Sequence, residues 1–539
     1  MSRVEVKEAV KSENQLFTVL VSDQMSEKGL QPVMESDVVE VVRENIHSTA
    51  TPLAEVDALL IRSATTVTKE LIEQMPNLKI IGRAGVGVDN VDLDAATENG
   101  VVVVNAPDGN TISTAEHTFA MLASLVRNIP QANQSMKEGK WDRKSYQGTE
   151  LYGKTLGVIG FGRIGAELAA RARAFRMNVI AYDPFLTQSR AEKNRVTPVE
   201  LDELLASSDF ISLHTPLTKE TKGMINAERI NQMKNGVYIL NCARGGIIDE
   251  DDLYNAIENG PVQGAAVDVY EDEPADNHPL TKLPQVITTP HIAASTTEAQ
   301  TNVAEQVAIE VLGYLNGKPA PHALNLPYLD ADVFEKLSPI TKLTRMLGDM
   351  SSQLFREPVK AIKISYAGEL SHQDTGLFNR SFLAGFFRHR IDAYVNEVNA
   401  SHVAKDREIN VSETHETESS GYSNFIEIEI SGEKRTLKIS GTYSNEFGPR
   451  VIKINEFALD FQPSHHTLYV QHNDRPGVIG KVGQLLGKHD VNIAAMQVGR
   501  SFEGGNAIML LGTDKECDQE VLKAFAEFEE IVSVSSIEL

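Results

Sequence analysis

The sequence predicts an α/β protein: two doubly wound parallel-sheet domains, then an α+β region, then a small ferredoxin-like unit. Three observations predict it. Short apolar runs alternate with amphipathic stretches from residue 16 to about 315, the pattern of parallel strands joined by helical crossovers. The alternation restarts at Thr155, directly ahead of a glycine-rich turn. The final stretch, 466 to 539, reads strand, helix, strand, strand, helix, strand.

The first series places strands at Leu16 to Val21, Val56 to Ile61, Leu78 to Ile81 and Val101 to Val104. Amphipathic stretches at Thr68 to Gln74 and Leu93 to Glu98 lie between them. The second series places buried strands at Thr155 to Ile159, Asn178 to Ala181, Phe210 to Leu213, Val237 to Asn241, Ala265 to Val269 and Val286 to Thr288. Six strands in this order describe a complete doubly wound nucleotide-type domain. Helical periodicity returns from Thr296 to Leu315, and Gly317-Lys318-Pro319-Ala320-Pro321 marks a boundary. The chain is therefore expected to leave a first domain (1–110 with 292–325), build a second (111–291) and return, with a hinge at two helical crossings. Residues 326–465 form a third region. It opens with helical material from Val333 to Phe355 and continues with strand-like runs Phe425 to Ile430 and Leu437 to Ile439. The polar stretch His402 to Gly421 reads as loop, and no catalytic motif is found in this region. Residues 466–539 complete the chain.

Composition bounds the function. At roughly 100–200 residues per domain, 539 residues suggest about three to five domains. A formal net charge of −24 gives no general attraction for nucleic acid or anionic membrane. An anionic substrate would therefore need a local arginine cluster. Two cysteines, Cys242 and Cys517, make no disulfide framework and fit a reducing cytosol. No stretch approaches 18 consecutive apolar residues. The N-terminus, MSRVEVKEAVKSENQ, has no apolar core of a secretory signal and reads as a mobile tail or partly ordered first turn.

Gly157-Val158-Ile159-Gly160-Phe161-Gly162-Arg163-Ile164-Gly165 contains G-x-G-x-x-G between a strand and a helical run. Gly160 permits the tight turn, Gly162 lets the backbone approach a pyrophosphate, and Gly165 allows close helix–strand packing. Asp183 ends the next strand at the offset of about 20 residues expected for a ribose-binding acid. An acid there binds a ribose 2′-hydroxyl and repels a 2′-phosphate, so NAD is favoured over NADP. The plain alternative is a tight turn with an ordinary strand-end acid.

Three polar residues fall at or beyond later strand ends: Arg244, Glu273 and His291. Ligands of such folds bind beyond the carboxyl ends of the strands. Oxidation of a hydroxy acid needs a cation for the carboxylate and a base near neutral pKa for the hydroxyl proton. Histidine, at about 6.5 when unperturbed, fits. A carboxylate beside it fixes its tautomer and stabilises the imidazolium. Each residue has a bland reading alone, as a helix-start charge, a loop acid or a helix cap. Together, after a dinucleotide fold, the three point to catalysis.

These motifs resemble the D-isomer-specific 2-hydroxyacid dehydrogenases over residues about 16 to 325. The resemblance rests on Gly82-Arg83-Ala84-Gly85-Val86-Gly87-Val88-Asp89-Asn90, Asn105-Ala106-Pro107, His214-Thr215-Pro216, Asn241 to Gly246 and Pro290-His291. It implies His291 as base, Glu273 as its paired acid and Arg244 as the carboxylate binder. Arg163 and Ile164 would meet the pyrophosphate, with His214, Thr215 and Pro216 on the adenosine side. Cys242, Ala243, Asp268 and Ala294 would surround the nicotinamide. Cys242 has no histidine or acid partner and reads as wall packing. The segment His291-Ile292-Ala293-Ala294-Ser295 departs slightly from the family's usual Gly-Ala or Gly-Gly.

Leu60 to Thr65 and Trp141 to Leu151 narrow the resemblance to the long phosphoglycerate dehydrogenases. It implies Arg62, Arg83, Val86, Gly87 and Arg244 around a 3-phosphoglycerate substrate, since bidentate arginines suit phosphate and carboxylate. Arg143 or Lys144 would reach a neighbouring subunit's site. Residues 466–539 resemble the ACT domain through His472-Asn473-Asp474-Arg475-Pro476-Gly477-Val478-Ile479-Gly480 and Val491-Asn492-Ile493. That implies effector contacts at His472, Asp474 and, across a paired chain, Asn492, with L-serine as the candidate effector. A purely dimerising domain is the alternative. Residues 326–465 resemble the intervening domain of the same family, where an anion or substrate site is implied and Arg450 and Lys453 are the basic candidates. The expectation is a cytoplasmic NAD-dependent oxidoreductase opening L-serine synthesis, a homodimer or homotetramer, with 2-oxoglutarate reduction as a side activity. No metal site, nucleic acid or membrane is expected. The rival readings are a dehydrogenase of glyoxylate, hydroxypyruvate or 2-hydroxyglutarate, and a non-catalytic NAD-sensing binding protein.

Overall fold

A computed structural model describes residues 16–327, 331–417 and 421–539, so the segment read as an N-terminal tail lies outside the described residues. β1 (Phe17–Val21), β2 (Val39–Val42), β3 (Ala58–Ile61), β4 (Ile80–Arg83) and β5 (Val102–Asn105) form a parallel sheet in the order β2-β1-β3-β4-β5. Strands covered on both faces read as continuous apolar runs, and β3, Ala-Leu-Leu-Ile, is buried throughout. Each such large side chain contributes roughly 1.5–3 kcal/mol when fully buried. The sequence reading lacks β2. Its residues are Val-Glu-Val-Val on the sheet edge with Glu40 exposed, so no unbroken run announces it. Helix Thr297–Leu315 returns the chain to this sheet, burying Val303, Val307 and Val311 in the core that holds Ile80 and Val102. The Thr296 hydroxyl caps it, accepting the Ala299 N–H at 3.1 Å.

The second sheet contains β6 (Thr155–Ile159), β7 (Asn178–Tyr182), β8 (Thr197–Pro198), β9 (Phe210–Leu213), β10 (Val237–Asn241), β11 (Val262–Val267) and β12 (Val286–Thr288). Its order is β12-β11-β10-β9-β6-β7-β8, all parallel, with the reversal of strand order between β6 and β9. β8 is the addition to the six expected strands: two residues at an edge are too short to leave a hydrophobic signal. Helix Thr111–Val126 brings the chain in and packs with helix Arg163–Ala174, where Met121, Leu122, Leu168 and Ala172 share one core.

The third sheet joins β13 (Ala361–Gly368), β14 (Asn410–Glu416), β15 (Asn424–Ser431), β16 (Thr436–Ser444), β17 (Gly448–Ile454) and β18 (Phe457–Phe461) in the order β14-β13-β15-β16-β17-β18. Helices Ala331–Leu354 and Gly376–Arg388 pack against it. Here the expectation of a loop from His402 to Gly421 is corrected. Helix Ala400–Asp406 and strand β14 occupy most of it, and residues 418–420 lie outside the described residues. β14 is an edge strand, Asn-Val-Ser-Glu-Thr-His-Glu, with neither face well buried. Parallel backbone pairing to β13, not an apolar face, holds it.

The last unit has β19 (His466–Asn473), β20 (Ile493–Arg500), β21 (Asn506–Thr513) and β22 (Ile531–Glu538) in the antiparallel order β20-β21-β19-β22. Helices Val478–Lys488 and Gln519–Phe525 cover one face, over Met509 and Leu511. Strand alternation sends Ile508 and Leu510 to the other face, where they join the core of the third sheet. No helix among the described residues is long and apolar enough to cross a membrane.

Candidate active site

The glycine-rich turn after β6 has the geometry its spacing implies. Gly160 has φ of +90°, and a Cβ there would lie 2.5 Å from the His214 carbonyl oxygen. A Cβ on Gly165 would lie 2.4 Å from the Gly160 oxygen, so the helix presses directly on the turn. Gly162 caps that helix and faces open space, with no atom within 4 Å of an added Cβ. An uncovered helix N-terminus of this kind suits a pyrophosphate. Asp183 follows β7 and accepts N–H bonds from Phe161 at 2.7 Å and Phe185 at 2.8 Å. Its carboxylate is thus tied to the same turn, where a ribose diol would reach it. These residues fit NAD. Arg163 pairs with Asp108 at 2.5 Å, and Ile164 follows it in the first turn of the helix.

His214, Thr215 and Pro216 follow β9. His214 Nε2 meets Ser212 Oγ at 2.9 Å, and burial pushes its pKa down to about 4, leaving it neutral. Thr215 Oγ1 is buried without a hydrogen-bond partner in the chain. Cys242 is 5% exposed, and burial pushes its thiol up to about 12, so it supplies no thiolate at neutral pH. Ala243 donates its N–H to Asn241 Oδ1 at 3.1 Å, and the Ala294 carbonyl accepts from Gln300 at 3.0 Å.

Beyond β12 the chain turns sharply at His291, which has φ of +52°, an uncommon value for a side-chain-bearing residue. Asp268 grips both flanks of that turn. Its carbonyl accepts the His291 N–H at 2.8 Å, and its carboxylate accepts the N–H groups of Ile292 and Ala293, each at 2.9 Å, and the Thr289 hydroxyl at 2.6 Å. Burial alone would raise the Asp268 pKa. Bonds from His117, Thr289, Ile292 and Ala293 outweigh it and hold the carboxyl below its usual value. His117 lies 3.5 Å from Asp268 and 3.3 Å from Thr289 Oγ1. The sequence reading does not include it, since a lone histidine on an amphipathic helix carries no signal.

The result is a half-exposed imidazole with Nδ1 2.7 Å from Glu273 Oε2. Glu273 Oε1 accepts the Tyr270 N–H at 3.0 Å. Both residues line a cavity of about 540 Å³ with Ser63, Pro274 and Thr289. Ser63 comes from the first domain, so the cavity spans the cleft. Arg244 crosses it too: its Nε lies 3.3 Å from Asp89, a counter-ion the sequence reading lacks.

On the opposite wall, the glycines after β4 make room for guanidinium groups. A Cβ on Gly85 would lie 1.6 Å from Arg83 Nη1, and one on Gly87 would lie 2.0 Å from Arg244 Nη2. The Val86 carbonyl is fixed by Asn105 at 2.6 Å. Burial, then the neighbouring positive charge of Arg244, lowers Arg83 to about 10, and its Nε is buried without a partner. Two cations this close, one of them under-satisfied, would suit an anion. Arg62 is set by Asp23, which accepts its N–H at 2.6 Å, and its Nη1 donates to Gln24 O at 3.2 Å. It opens on a second cavity of about 520 Å³ with Ser295, Thr296 and Gln300. Arg143 and Lys144 lie exposed on the loop after helix Ile129–Lys137.

In the last unit His472 is 2% exposed, its Nδ1 2.9 Å from Asn473 O and its Nε2 without a partner. Asp474 accepts the Gly504 N–H at 3.3 Å and lies 3.6 Å from Arg500. Asn492 donates to Asp514 at 2.9 Å. The register puts Asn492, just before β20, at the His466 end of the sheet, opposite Asp474. A single chain therefore does not bring the three together. Arg450 pairs with Asp460 on β18.

Three family profiles match: D-isomer specific 2-hydroxyacid dehydrogenase, NAD binding domain, over residues 119–293; D-3-phosphoglycerate dehydrogenase intervening domain over 336–455; and ACT domain over 466–530. The chain is 51% identical over 524 residues to a D-3-phosphoglycerate dehydrogenase of Bacillus subtilis, covering 97% of this chain and 100% of that one. It is 43% identical to one of Archaeoglobus fulgidus over 528 residues, with the same coverage. Among solved structures, a D-lactate dehydrogenase of Aquifex aeolicus complexed with NAD and lactic acid superposes with a TM-score of 0.50 at 33% identity, covering 56% of this chain and 96% of that one. A glyoxylate reductase of Paecilomyes thermophila gives 0.53 at 29%, covering 57% and 98%.

Proposed function

The chain belongs to the D-3-phosphoglycerate dehydrogenases, within the D-isomer specific 2-hydroxyacid dehydrogenases, and from that premise we propose that its cleft oxidises 3-phospho-D-glycerate to 3-phosphohydroxypyruvate, opening L-serine synthesis. The observation that carries this reading is the His291–Glu273 pair at 2.7 Å, on the sheet end that also carries Arg244, whose guanidinium reaches Asp89 and the Gly87 turn beside Arg83. With Nδ1–H engaged by Glu273, the Nε2 lone pair is the free base, and it takes the C2 hydroxyl proton. Glu273 then stabilises the imidazolium. Bound NAD⁺ supplies the two-electron acceptor.

Arg244 holds the substrate carboxylate, and Arg62 and Arg83 hold the phosphate, with backbone N–H groups of Val86 and Gly87 between them. Arg163, Ile164 and the uncovered turn at Gly162 receive the pyrophosphate. Asp183 takes the ribose diol, which disfavours a 2′-phosphate there. His214, Thr215 and Pro216 line the adenosine side, and Cys242, Ala243, Asp268 and Ala294 the nicotinamide side. Within this reading, residues 1–110 with 292–325 bind substrate, 111–291 bind NAD, 326–465 intervene and 466–539 regulate. L-serine is the effector, held by His472 and Asp474 of one chain and Asn492 of a second. Their separation at opposite sheet ends supports a homodimer or a homotetramer built from it. Two buried free cysteines fit a reducing cytoplasm.

The experiment is NADH formation by the purified chain from 3-phosphoglycerate, D-glycerate and D-lactate, each with and without L-serine. Strong preference for the phosphorylated acid, lost in Arg62→Ala, supports the reading. Equal turnover of all three assigns the chain another substrate. No turnover with NADH still bound favours a sensor.

A further inference from the structure

The loop that carries Glu273 is stapled from outside the cleft. Glu250 opens helix Glu250–Asn259, and its carboxylate bridges the two ends of that loop. Oε1 accepts the Glu271 N–H at 2.8 Å, and Oε2 takes His278 Nε2 at 2.9 Å, with both side chains more than four-fifths buried. The His278 tautomer follows from its other nitrogen. Nδ1 accepts the Leu280 N–H at 3.3 Å, so the ring proton sits on Nε2 and is donated to Glu250. The His278 ring lies against Tyr270, with centroids 5.4 Å apart. Tyr270 donates its N–H to Glu273 Oε1 at 3.0 Å and its hydroxyl to Thr289 O at 3.2 Å, two residues ahead of His291.

The same stretch lies against the arginine loop. A Cβ on Gly245, next to Arg244, would fall 1.8 Å from the Tyr270 carbonyl oxygen. Any drift of residues 270–271 therefore meets Arg244 on one side and Glu273 on the other. The charges around the staple are Glu250 itself, Lys222 paired with Glu271 at 3.0 Å, the buried Asp268, and the Glu273–His291 pair.

We propose that Glu250 and His278 are positioning residues for the oxidation: they hold the 270–278 loop so that Glu273 stays bonded to His291 while the arginine loop stays in place. Neither touches substrate or cofactor; they act through Tyr270 and Glu273. The inference rests on the roles of His291 and Glu273 proposed above.

The test compares wild type, Glu250→Ala, Glu250→Gln, His278→Ala, His278→Gln and His291→Ala as full chains. Misplacement of a catalytic group by about 1 Å costs up to about a hundredfold, so kcat of Glu250→Ala and His278→Ala is expected to fall between tenfold and a hundredfold. NADH affinity and KM for NAD stay at wild-type values, because the glycine-rich turn is untouched. Loosening the carboxylate removes stabilisation of the imidazolium, so the acid limb of the kcat–pH profile moves to lower pH, by up to about one unit. His278→Gln, whose amide still donates to Glu250, recovers part of the loss. A fall in kcat with the acid limb unmoved, or wild-type kcat in both alanine variants, overturns the inference. Wild type without turnover of 3-phosphoglycerate, or His291→Ala as active as wild type, overturns the underlying reading instead, and the inference falls with it.

Discussion

Two imidazoles beyond strand ends of one sheet show how surroundings assign chemistry. His291 stands half-exposed against a carboxylate, whereas His214 is desolvated beside Ser212 and driven down to about 4. The sign of the His214 effect follows by linkage. Its folded value lies below the unfolded value of about 6.5, so between those limits the unfolded chain binds the extra proton. The native state is therefore expected to lose stability as pH falls from about 6.5 to 4, by at most about 3 kcal/mol from this group. His214→Gln is expected to flatten that part of a melting-temperature profile measured against pH; an unchanged slope would contradict the assignment. At this scale Arg244, Glu273 and His291 were legible as candidates, because each sits in a recognisable strand-end motif. Their supports were not legible. His117, Asp89 and Glu250 come from segments far apart in the chain and meet the site only through the fold.

Elements position these side chains by leaving things out. The turn after β4 lacks side chains at Gly85 and Gly87, and guanidinium groups fill the gaps. An alanine at 87 would meet the far end of the Arg244 side chain rather than backbone, so the arginine yields and the fold persists. Gly87→Ala is thus expected to raise KM for the hydroxy acid about tenfold or more, as loss of a charge-assisted contact does, while the melting temperature stays near wild type. A large drop in melting temperature with unchanged KM would show the reverse. Elements buried on both faces were readable as apolar runs, which is why β1, β3, β5, β6 and β9 stand where the sequence puts them. Three edge strands were not. β2, β8 and β14 are short or polar, and pairing with a neighbour, rather than their own side chains, makes them strands.

At the scale of the molecule, the last two units share one core. Ile508, Leu510 and Ile537 pack with Leu347, Phe386 and Ile428, and Gln353 exchanges two hydrogen bonds with Glu538 at 2.8 and 3.0 Å. The link to the catalytic half is narrower: Val398 enters the first domain's core, and Asn396 donates to Gly100 O at 2.8 Å. A chain ending at 465 would leave those apolar faces in water, whereas one ending at 327 removes both units together. The shorter chain is expected to remain folded and bind NADH; the longer is expected to aggregate or melt at a lower temperature, checked by size-exclusion chromatography and thermal melting. Periodicity predicted the units but not this sharing, since a strand pattern does not say what covers each face.

The proposed oxidation requires His291 as the base that takes the hydroxyl proton. The most direct measurement is turnover of 3-phosphoglycerate and binding of NADH on the same preparation of His291→Ala. General-base removal is expected to lower kcat by about 10²–10⁴-fold, with NADH affinity unchanged. Turnover within a few-fold of wild type, with NADH bound as before, would contradict it and move the base elsewhere in the cleft.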